Sequence, residues 1–388
     1  MKRYVTVWWS SLTGIFKNGD VGMEESKGIH MYTELACFWL CSLIGFGLAS
    51  LEKFVGLCGG IDEVFRVPDH HIRKMEGLSP RFKQEILKTR DISRLEKEYN
   101  KLSQRGISFI GQGHKDFPQK LKVIPECPFG LFLTGTLPSP DKPSVAIVGA
   151  RGATVFGQET ARNFAKVLSL HGIQIISGLA LGIDGYAHRG ALEAGQCTWA
   201  VLGCGINICY PKENIRIFEQ IKERGGLVSE FLPGQEPLPW HFPFRNRIIS
   251  GLADGILVVE ARKRSGSLIT AGFGLDQGKD IYAVPGRPTD ALSAGCNSLI
   301  ADGAKLVTRP EDILEDYKIS VKNFAEDKFM LDNLEKLVYP SLCLDAKSIE
   351  QIAAQTCLDY AQTARTLVSL VHKGCARQVG KNYYIRRG

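Results

Sequence analysis

The sequence predicts an α/β protein with an extended, Rossmann-like, doubly wound and mostly parallel sheet, a helical N-terminal domain and a C-terminal winged helix. Two observations predict the sheet. Short β-rich runs alternate with helical stretches between residues 144 and 308, and the runs VAIV, TWAVLG, GILVVEA and DIYAVPG are almost continuously apolar. Strands of this kind are buried by helices on both faces. Right-handed crossovers bring the carboxyl ends of such strands to one edge of the sheet, where ligands bind.

Length and composition are those of a folded protein of two or three domains. The 388 residues are 44% hydrophobic and 23% charged, which argues against a disordered or fibrous protein. The formal net charge of +7 is compatible with a polyanionic partner. The eleven cysteines include no CxxC pair and no zinc-finger spacing, which favours free thiols without a metal. No apolar run reaches the ~20 residues of a spanning helix and no secretory signal is visible, so we expect a cytoplasmic protein without membrane contact.

Changes of pattern divide the chain into five predicted segments: 1–30, 31–95, 96–318, 319–335 and 336–388. The first shows no periodicity, which predicts a disordered extension or an upstream start-site artefact. Apolar residues at helical spacing predict helices in the second, and the third contains the sheet. The fourth is an acidic linker, because residues 311–336 carry eight acids against four lysines. Three helical stretches and a hairpin in the last segment are typical of a winged helix, a helix-turn-helix variant.

The first strand of the sheet and its turn, VAIVGARGATVFG, have the features of an anion site. Gly149 and Gly152 permit a tight turn, and the helix that follows offers free N–H groups and a positive dipole end. Arg151 lies between the glycines, where a guanidinium can bind a phosphate through two hydrogen bonds. The spacing departs from GxGxxG, and no acid follows the second strand, at residues 175–178, which disfavours NAD. A structural glycine turn with a surface arginine is the alternative for this segment alone.

The second turn, ISGLALGIDGYAHRGAL, repeats the pattern with Ser177 and Gly178 ahead of a helix. Asp184 and His188 are four residues apart and could share a helix face as an acid–base or metal pair. No third ligand or nucleophile follows at a defined spacing, so we expect Asp184 to act near the helix N-terminus and His188 to make local contacts.

The third turn, VLGCGINICYPKEN, brings an aromatic residue and a cation to the mouth of the next helix. Tyr210 offers a stacking face and Lys212 a point charge. This combination is typical of sites for single-stranded nucleic acid, where each stacked base contributes ~1–3 kcal/mol. The alternative reading is that Tyr210 and Pro211 only end a loop.

Two further segments carry clustered cations. FPFRNRIISGL places Arg245, Asn246 and Arg247 ahead of an apolar helix. Two guanidiniums and an amide need acidic partners or an anionic ligand and are not expected in a core, so phosphate contacts are predicted. The segment ARKRSGSLITAG adds cations and a turn rich in hydroxyl and N–H groups: Arg262, Lys263, Arg264, Ser265, Gly266 and Ser267. Several positive turns on one edge favour a groove for a chain of phosphates over a pocket for one nucleotide.

The C-terminal segment is a second candidate for DNA binding. Residues 361–388 contain six Lys or Arg and no acid. The predicted recognition helix carries only Arg365 among Gln362, Thr363, Thr366 and Ser369. Contact with protein, or positioning of a dimer, is therefore an alternative to base readout.

Taken together, these segments resemble the DNA-processing protein A (DprA, also called Smf) family. The matching pieces run in family order from residue 144 to residue 304, and a weaker match extends upstream: VAIVGAR, SGLALGIDGYAHRGAL, AVLGCGI, YPKEN, FPFRNRIISGL, SGSLITA and AVPG. The resemblance implies a protein that binds and protects single-stranded DNA and helps load the RecA recombinase in natural transformation or recombination. It also implies a homodimer, an N-terminal domain of sterile-alpha-motif or helix-hairpin-helix type, a C-terminal winged helix and no cofactor.

Carried over residue by residue, the resemblance implies DNA contacts at Arg151 and Lys212, supported by the turns at residues 245–247 and 265–267. Two positions depart from the family pattern. Leu181 stands where the family usually has arginine, which removes a potential cation, and Thr154 replaces a common serine but keeps the hydroxyl.

Two other functions compete with this one. The lysine-decarboxylase-like nucleotide phosphoribohydrolases share a related sheet and carry a PGGxGTxxE signature, but the comparable turn here, SGSLITAGF, lacks the glutamate. Glu230 and Glu260 lie near strands, and the sequence indicates a partner for neither. Without a positioned acid, general acid–base assistance of about 10²–10⁴-fold is missing, so we expect no enzyme. A transcription factor that reads duplex DNA through the winged helix is the third class.

Overall fold

The computed structural model describes residues 21–320 and 331–386, with side chains from residue 32 onward. Of the predicted N-terminal extension, residues 1–20 lie outside the described part of the chain. Residues 21–30 are assigned to the first part of a helix that begins at Val21, and the extension over residues 1–30 stays a prediction. No helix in the described ranges has the length and apolar character needed to cross a bilayer.

In the described part of the chain, five α-helices precede the sheet. They are α1 (Val21–Ser42), α2 (Leu48–Cys58), α3 (Asp69–Lys74), α4 (Pro80–Thr89) and α5 (Ile92–Gln104). Local sequence sets the start of the last two, because the side chain of Ser79 accepts from the N–H of Phe82 and that of Asp91 from the N–H of Arg94. Both are N-cap contacts of preferred residue types. The predicted helical N-terminal region is therefore confirmed.

Nine strands form one mixed, mostly parallel sheet, which confirms the predicted fold class. They are β1 (Ser108–Gly111), β2 (Gly130–Gly135), β3 (Ser144–Val148), β4 (Gln174–Ser177), β5 (Thr198–Leu202), β6 (Gly226–Ser229), β7 (Gly255–Val258), β8 (Asp280–Ala283) and β9 (Lys305–Leu306). Their order is β1-β2-β6-β5-β4-β3-β7-β8-β9. All neighbours from β6 to β9 are parallel, whereas β1 and β2 pair antiparallel at one end.

Helices cover both faces of this sheet. They are α6 (Gln119–Lys122), α7 (Val155–Leu170), α8 (Ile183–Glu193), α9 (Ile215–Arg224), α10 (His241–Leu252), α11 (Gly266–Asp276), α12 (Ala294–Ala301) and α13 (Glu311–Asp316). Alternate residues of β3 point to opposite faces: Val145 and Ile147 pack with α7 and α8, whereas Ala146 and Val148 pack with α10 and α11. The strand order reverses between β3 and β7, which is where ligands of doubly wound sheets bind.

The N-terminal helices and the antiparallel end of the sheet share one core. The ring of Phe38 in α1 lies 5.6 Å from the ring of Phe109 in β1 and 6.0 Å from that of Phe132 in β2, both in edge-on contact. The same cluster of buried residues continues to Phe231, beyond β6. The segments predicted as 31–95 and 96–318 are thus joined by a common hydrophobic core.

The C-terminal unit, residues 331–386, comprises three helices and a small antiparallel sheet. Its elements are α14 (Asn333–Val338), β10 (Lys347–Ser348), α15 (Ile349–Thr356), α16 (Tyr360–His372), β11 (Ala376–Gly380) and β12 (Tyr383–Arg386). The strand order is β10-β12-β11. Asp332 and Glu335 form a capping box at the start of α14, so the predicted acidic linker ends in a helix, while residues 321–330 lie outside the described ranges. The winged-helix assignment stays a prediction.

Candidate nucleic-acid interface

A cavity of about 350 Å³ opens at the carboxyl edge of the sheet, beside the neighbouring strands β3 and β7. It is lined by the predicted site residues Gly149, Arg151, Arg245, Asn246, Ser265, Gly266 and Ser267, together with Asp184 and Phe242. Segments that are far apart in the sequence therefore meet at one edge, as the fold class predicted. A larger cavity, about 700 Å³, lies between α1, α5 and the turn after β1 and is lined by none of the predicted site residues.

Close backbone packing positions the Arg151 turn. The N–H of Ala150 donates to the carbonyl of Glu260 at 2.7 Å, and the N–H of Ile183 donates to the carbonyl of Ala150 at 3.2 Å. Gly182 has a φ of +73°, and a Cβ there would lie 2.2 Å from the Ala150 carbonyl oxygen. Only glycine fits this approach. The turn presents Arg151 to solvent, and this guanidinium has no ion pair within the described part of the chain.

Phe242, at the start of α10, links the Arg151 turn to the third turn. The guanidinium carbon of Arg151 lies 5.2 Å from the Phe242 ring centroid, and the exposed ring of Tyr210 lies 5.4 Å from it on the same surface. Lys212 follows two residues later, exposed and without an ion pair among the described residues. Arg151, Phe242 and Tyr210 thus adjoin one another, and together with Lys212, two residues further along the chain, they are called here the Arg151–Lys212 strip.

Sequence reasoning missed two residues that build this strip. Phe242 precedes the cations of FPFRNRIISGL and reads as part of an apolar helix, although it is only half-buried. Asn214, the last residue of YPKEN, is buried and donates from Nδ2 to the carbonyls of Leu179 and Ala180 at 2.9 and 3.0 Å. It therefore ties the third turn to the second. An aromatic residue three positions from a predicted site, and a buried amide at a helix start, were the available signals.

Arg245, Asn246 and Arg247 are all buried, which corrects the expectation that they would not lie in a core, while their phosphate contacts stay a prediction. Arg247 is only 1% exposed, and its Nη2 lies 2.8 Å from the carboxylate of Glu230. Sequence reasoning excluded them from a core because no acidic partner was visible, whereas the fold supplies one from β6. A buried ion pair is tolerated when the two charges compensate each other. Arg247 therefore offers no group to a ligand on the surface.

Arg245 lines the floor of the cavity rather than its rim. Its Nη1 donates to the carbonyl of Gly178 at 2.9 Å and to that of Val201. Burial lowers the pKa of Arg245 to about 10, and the nearby Asp184 opposes that shift. Burial likewise raises the pKa of Asp184, while the charge of Arg245 opposes the rise. The two buried charges beneath the opening therefore offset the cost of each other's burial only in part.

The second turn uses its polar groups internally. The hydroxyl of Ser177 is fully buried and donates to the carbonyl of Ile147 at 2.6 Å. The N–H of Gly178 donates to Asp184 Oδ2 at 3.2 Å, so this carboxylate acts near the start of α8 as expected. Ser177 and Gly178 consequently use these donors within the protein, and their assignment as DNA contacts stays a prediction.

The first turn of α7 is also bonded to a side chain of the protein itself. The N–H of Thr154 donates to Glu260 Oε2 at 2.9 Å, the Thr154 hydroxyl donates to Glu260 Oε1, and the same hydroxyl accepts from the N–H of Gly157 at 3.1 Å. Glu260 therefore fills the place where an anion would meet this helix N-terminus. The single proton of the Thr154 hydroxyl is thus used within the protein, and its DNA contact stays a prediction. Glu260 acquires the partner that the sequence did not indicate.

The start of α11 keeps the features of an anion cradle. Its first residues, Ser265 to Ser267, line the cavity, with the two serine hydroxyl oxygens 2.8 Å apart. Asn246 donates from Nδ2 to the Gly266 carbonyl at 3.2 Å and fixes the turn to α10. The three preceding cations are exposed and have no ion pair among the described residues: Arg262, Lys263 and Arg264. A helix N-terminus beside unpaired cations attracts negative charge.

Comparison with known proteins agrees with the resemblance seen in the sequence. The profile of the family described as DNA recombination-mediator protein A matches residues 108–318, more than half of the chain. The chain is 38% identical to protein Smf of Escherichia coli K12 over 283 residues, 73% of this chain and 74% of Smf. It is 43% identical to DNA processing protein DprA of Streptococcus pneumoniae over 202 residues, 52% of this chain and 71% of that protein.

Two solved structures share this architecture. The crystal structure of DprA from Streptococcus pneumoniae has a TM-score of 0.63 at 35% identity and covers 72% of this chain and 96% of its own. The structure of DNA processing protein A from Helicobacter pylori, which addresses that protein's single-stranded DNA binding mode, has a TM-score of 0.50 at 26% identity over 55% and 95%. With the matched profile and the Smf relative, these likenesses establish that the chain belongs to the DNA recombination-mediator protein A family.

Proposed function

We propose that the chain binds single-stranded DNA along the Arg151–Lys212 strip and the adjoining start of α11. The observation that carries this proposal is the combination, at one sheet edge, of exposed cations that have no ion pair among the described residues with the exposed ring of Tyr210 and the half-buried ring of Phe242. The single-stranded DNA binding of the Helicobacter pylori relative supports it.

In this proposal, cations and rings divide the recognition between them. Arg151 and Lys212 contact phosphates at the two ends of the strip, and the start of α11 with its neighbouring cations extends the track. Tyr210 and Phe242 stack on bases, each contributing ~1–3 kcal/mol. Only unpaired bases expose a ring face to such side chains, so a single strand is preferred over a duplex. Contacts to phosphate and ring faces make binding largely independent of sequence.

Beyond DNA binding, we propose the role of a recombination mediator that protects incoming single strands and helps load RecA, with the chain acting as a homodimer. Membership of the family supports this role. The experiment is a strand-exchange assay in which RecA competes with single-strand binding protein, with and without the chain. Unchanged RecA assembly would contradict the loading role while leaving DNA binding to be judged separately.

Arg151→Ala and Lys212→Ala are expected to weaken binding to every single-stranded sequence. Each removes one phosphate contact, so each should lower the slope of log affinity against log salt by about 0.7. The measurement is a titration against labelled oligo-dT and a duplex of equal length at two salt concentrations. Lys101→Ala is the matched control, since Lys101 is an exposed lysine on α5. If both site variants bind like the parent, the strip is wrongly assigned.

We further propose that the cavity is not the active site of a nucleotide phosphoribohydrolase. Glu230 is paired with Arg247 and Glu260 with Thr154, so neither carboxylate is free to assist glycosidic cleavage. Asp184 reaches the cavity, but its carboxylate accepts from the N–H groups of Gly178 and Ala180 and lies near the charge of Arg245. Incubation with nucleoside monophosphates tests this: robust release of free base would favour the enzyme.

A further inference from the structure

The C-terminal unit contacts the rest of the molecule mainly through charge. Its buried apolar residues, from Val338 to Tyr384, form a cluster of their own, and no hydrophobic cluster of the described residues spans both units. Two ion pairs cross between the units. Arg377 Nη1 in β11 lies 2.7 Å from Glu159 Oε1 in α7, and Arg287 Nη2 lies 2.9 Å from Asp345 Oδ2.

The two ion pairs differ in their surroundings. Arg287 and Asp345 both have about two-thirds of their side chains exposed, and such pairs contribute little. Glu159, in contrast, is only 4% exposed, and about one-third of the Arg377 side chain is exposed. The pair on α7 is therefore the stronger link between the units.

Charge balance on α7 requires Arg377. Arg162 pairs with two carboxylates at once. Its Nη1 lies 3.2 Å from Glu159 Oε2 and its Nε 2.6 Å from Glu193 Oε2. Without Arg377, one guanidinium would face two carboxylates. The surface formed by Glu159, Arg162 and Glu193 would then carry a net negative charge, so it favours one additional guanidinium. The C-terminal hairpin supplies it.

We propose that the C-terminal unit docks reversibly on α7 of its own chain, with Arg377 as the docking residue and Glu159 as its ion-pair partner. Since Arg377 is partly exposed and no shared apolar core adds to the contact, the dock is released by salt. Glu159 lies five residues beyond Thr154, about 7.5 Å along α7, so the docked hairpin is close to the turn that carries Arg151. The docking does not depend on the proposed DNA binding.

Hydrogen–deuterium exchange of the full chain tests the dock from both sides. At low ionic strength, Arg377→Ala is expected to speed exchange several-fold in the first two turns of α7, and Glu159→Gln to do the same in the hairpin of β11 and β12. For each variant, exchange is thus measured in the unit that does not contain the substitution. A change there reports undocking rather than misfolding around the substituted residue. Raising salt on the parent should reproduce both changes.

Lys381→Ala is the control, because Lys381 lies on the same hairpin and has no ion pair among the described residues. It should leave exchange in α7 unchanged. Parent-like exchange in both Arg377→Ala and Glu159→Gln would overturn the proposal. So would protection that grows with protein concentration, because the contact would then join two copies of the chain.

Discussion

At the scale of single residues, the same side-chain type has opposite roles within one edge of the sheet. Arg151 is exposed beside an aromatic ring, whereas Arg247, from a segment with equal promise in the sequence, is buried against Glu230. Burial decides between the two, since a guanidinium already paired with a carboxylate offers nothing to a phosphate. The unpaired arginine is the one expected to bind DNA.

Leu181 offers a gain-of-affinity prediction. It is exposed in the turn next to Arg151, at a position where the family usually has arginine. Leu181→Arg should add one phosphate contact, tighten binding to oligo-dT and raise the salt slope by about 0.7. Leu275→Arg adds the same charge at the far end of α11, where Leu275 is also exposed, and serves as the control. Equal effects of the two variants would point to net charge alone rather than a contact beside Arg151.

The buried side chain of His188 is expected to make the free energy of unfolding depend on pH. Its Nδ1 lies 2.8 Å from Thr198 Oγ1, whose own proton is donated to the carbonyl of Ile175, so Nδ1 carries the ring proton. Nε2 has no hydrogen-bond partner among the described residues. Burial, with the charge of Arg245 as a second cause, lowers the pKa of His188 to about 3. The folded chain therefore keeps this imidazole neutral.

Because the folded-state pKa lies below the unfolded value of about 6.5, the neutral ring stabilises the fold above that pH, and this contribution is lost as pH falls towards 3. Between about pH 6.5 and 5 the free energy of unfolding should fall by about 2 kcal/mol from this group. His188→Asn, which keeps a donor for Thr198, should flatten that part of the profile. Urea unfolding across this range measures it, and identical profiles for parent and variant would contradict the assignment.

At the scale of elements, the first turns of α7 and α11 differ in whether another side chain of the protein occupies them. The first turn of α7 is closed by Glu260, which accepts from the backbone and hydroxyl of Thr154. The first turn of α11 lies open to the cavity behind three unpaired cations. Both helices start at the same edge of the sheet. The difference arises from Glu260, which follows β7 and bonds to Thr154 at the start of α7.

Thr154→Ala tests this internal use of the helix start. Loss of the N-cap and of a hydrogen bond to the nearly buried Glu260 should lower the free energy of unfolding by about 2–3 kcal/mol. Affinity of the folded protein for oligo-dT should stay near that of the parent. Thr154→Ser, which retains the hydroxyl, is the control for chemical denaturation. A large loss of affinity at unchanged stability would instead make the hydroxyl a DNA contact.

At the scale of the whole molecule, the core is continuous across one predicted domain boundary and interrupted at the other. Phe38 of α1 packs on Phe109 and Phe132 of the sheet, whereas the C-terminal unit has its own cluster. The two ends of the chain should therefore respond differently to truncation.

A chain that begins at residue 96 loses the helices covering Phe109 and Phe132 and is expected to aggregate, because exposed aromatic surface of this kind associates. A chain that ends at residue 320 keeps the sheet and its covering helices and should remain folded. Size-exclusion chromatography and binding of a hydrophobic dye compare the two. A monodisperse, dye-negative chain from residue 96 would show that the shared core is dispensable.

The sequence by itself determined the fold class and the family. Apolar strands that alternate with helical stretches are compatible with few arrangements other than a parallel sheet covered by helices. The glycine-containing turns indicate places where the fold requires two backbone segments to lie close together. The convergence of Arg151 and Ser265–Ser267 on one edge followed from the same rule, since the carboxyl ends of parallel strands lie together.

Only the tertiary structure decided which polar residues are free. Glu230, Glu260 and Asp184 reach Arg247, Thr154 and Arg245 from strands and helices distant in the chain. Such pairings depend on strand order and side-chain direction, which a local pattern does not encode. For the same reason Phe242, apolar in sequence context, became the ring between Arg151 and Tyr210 only once the chain had folded.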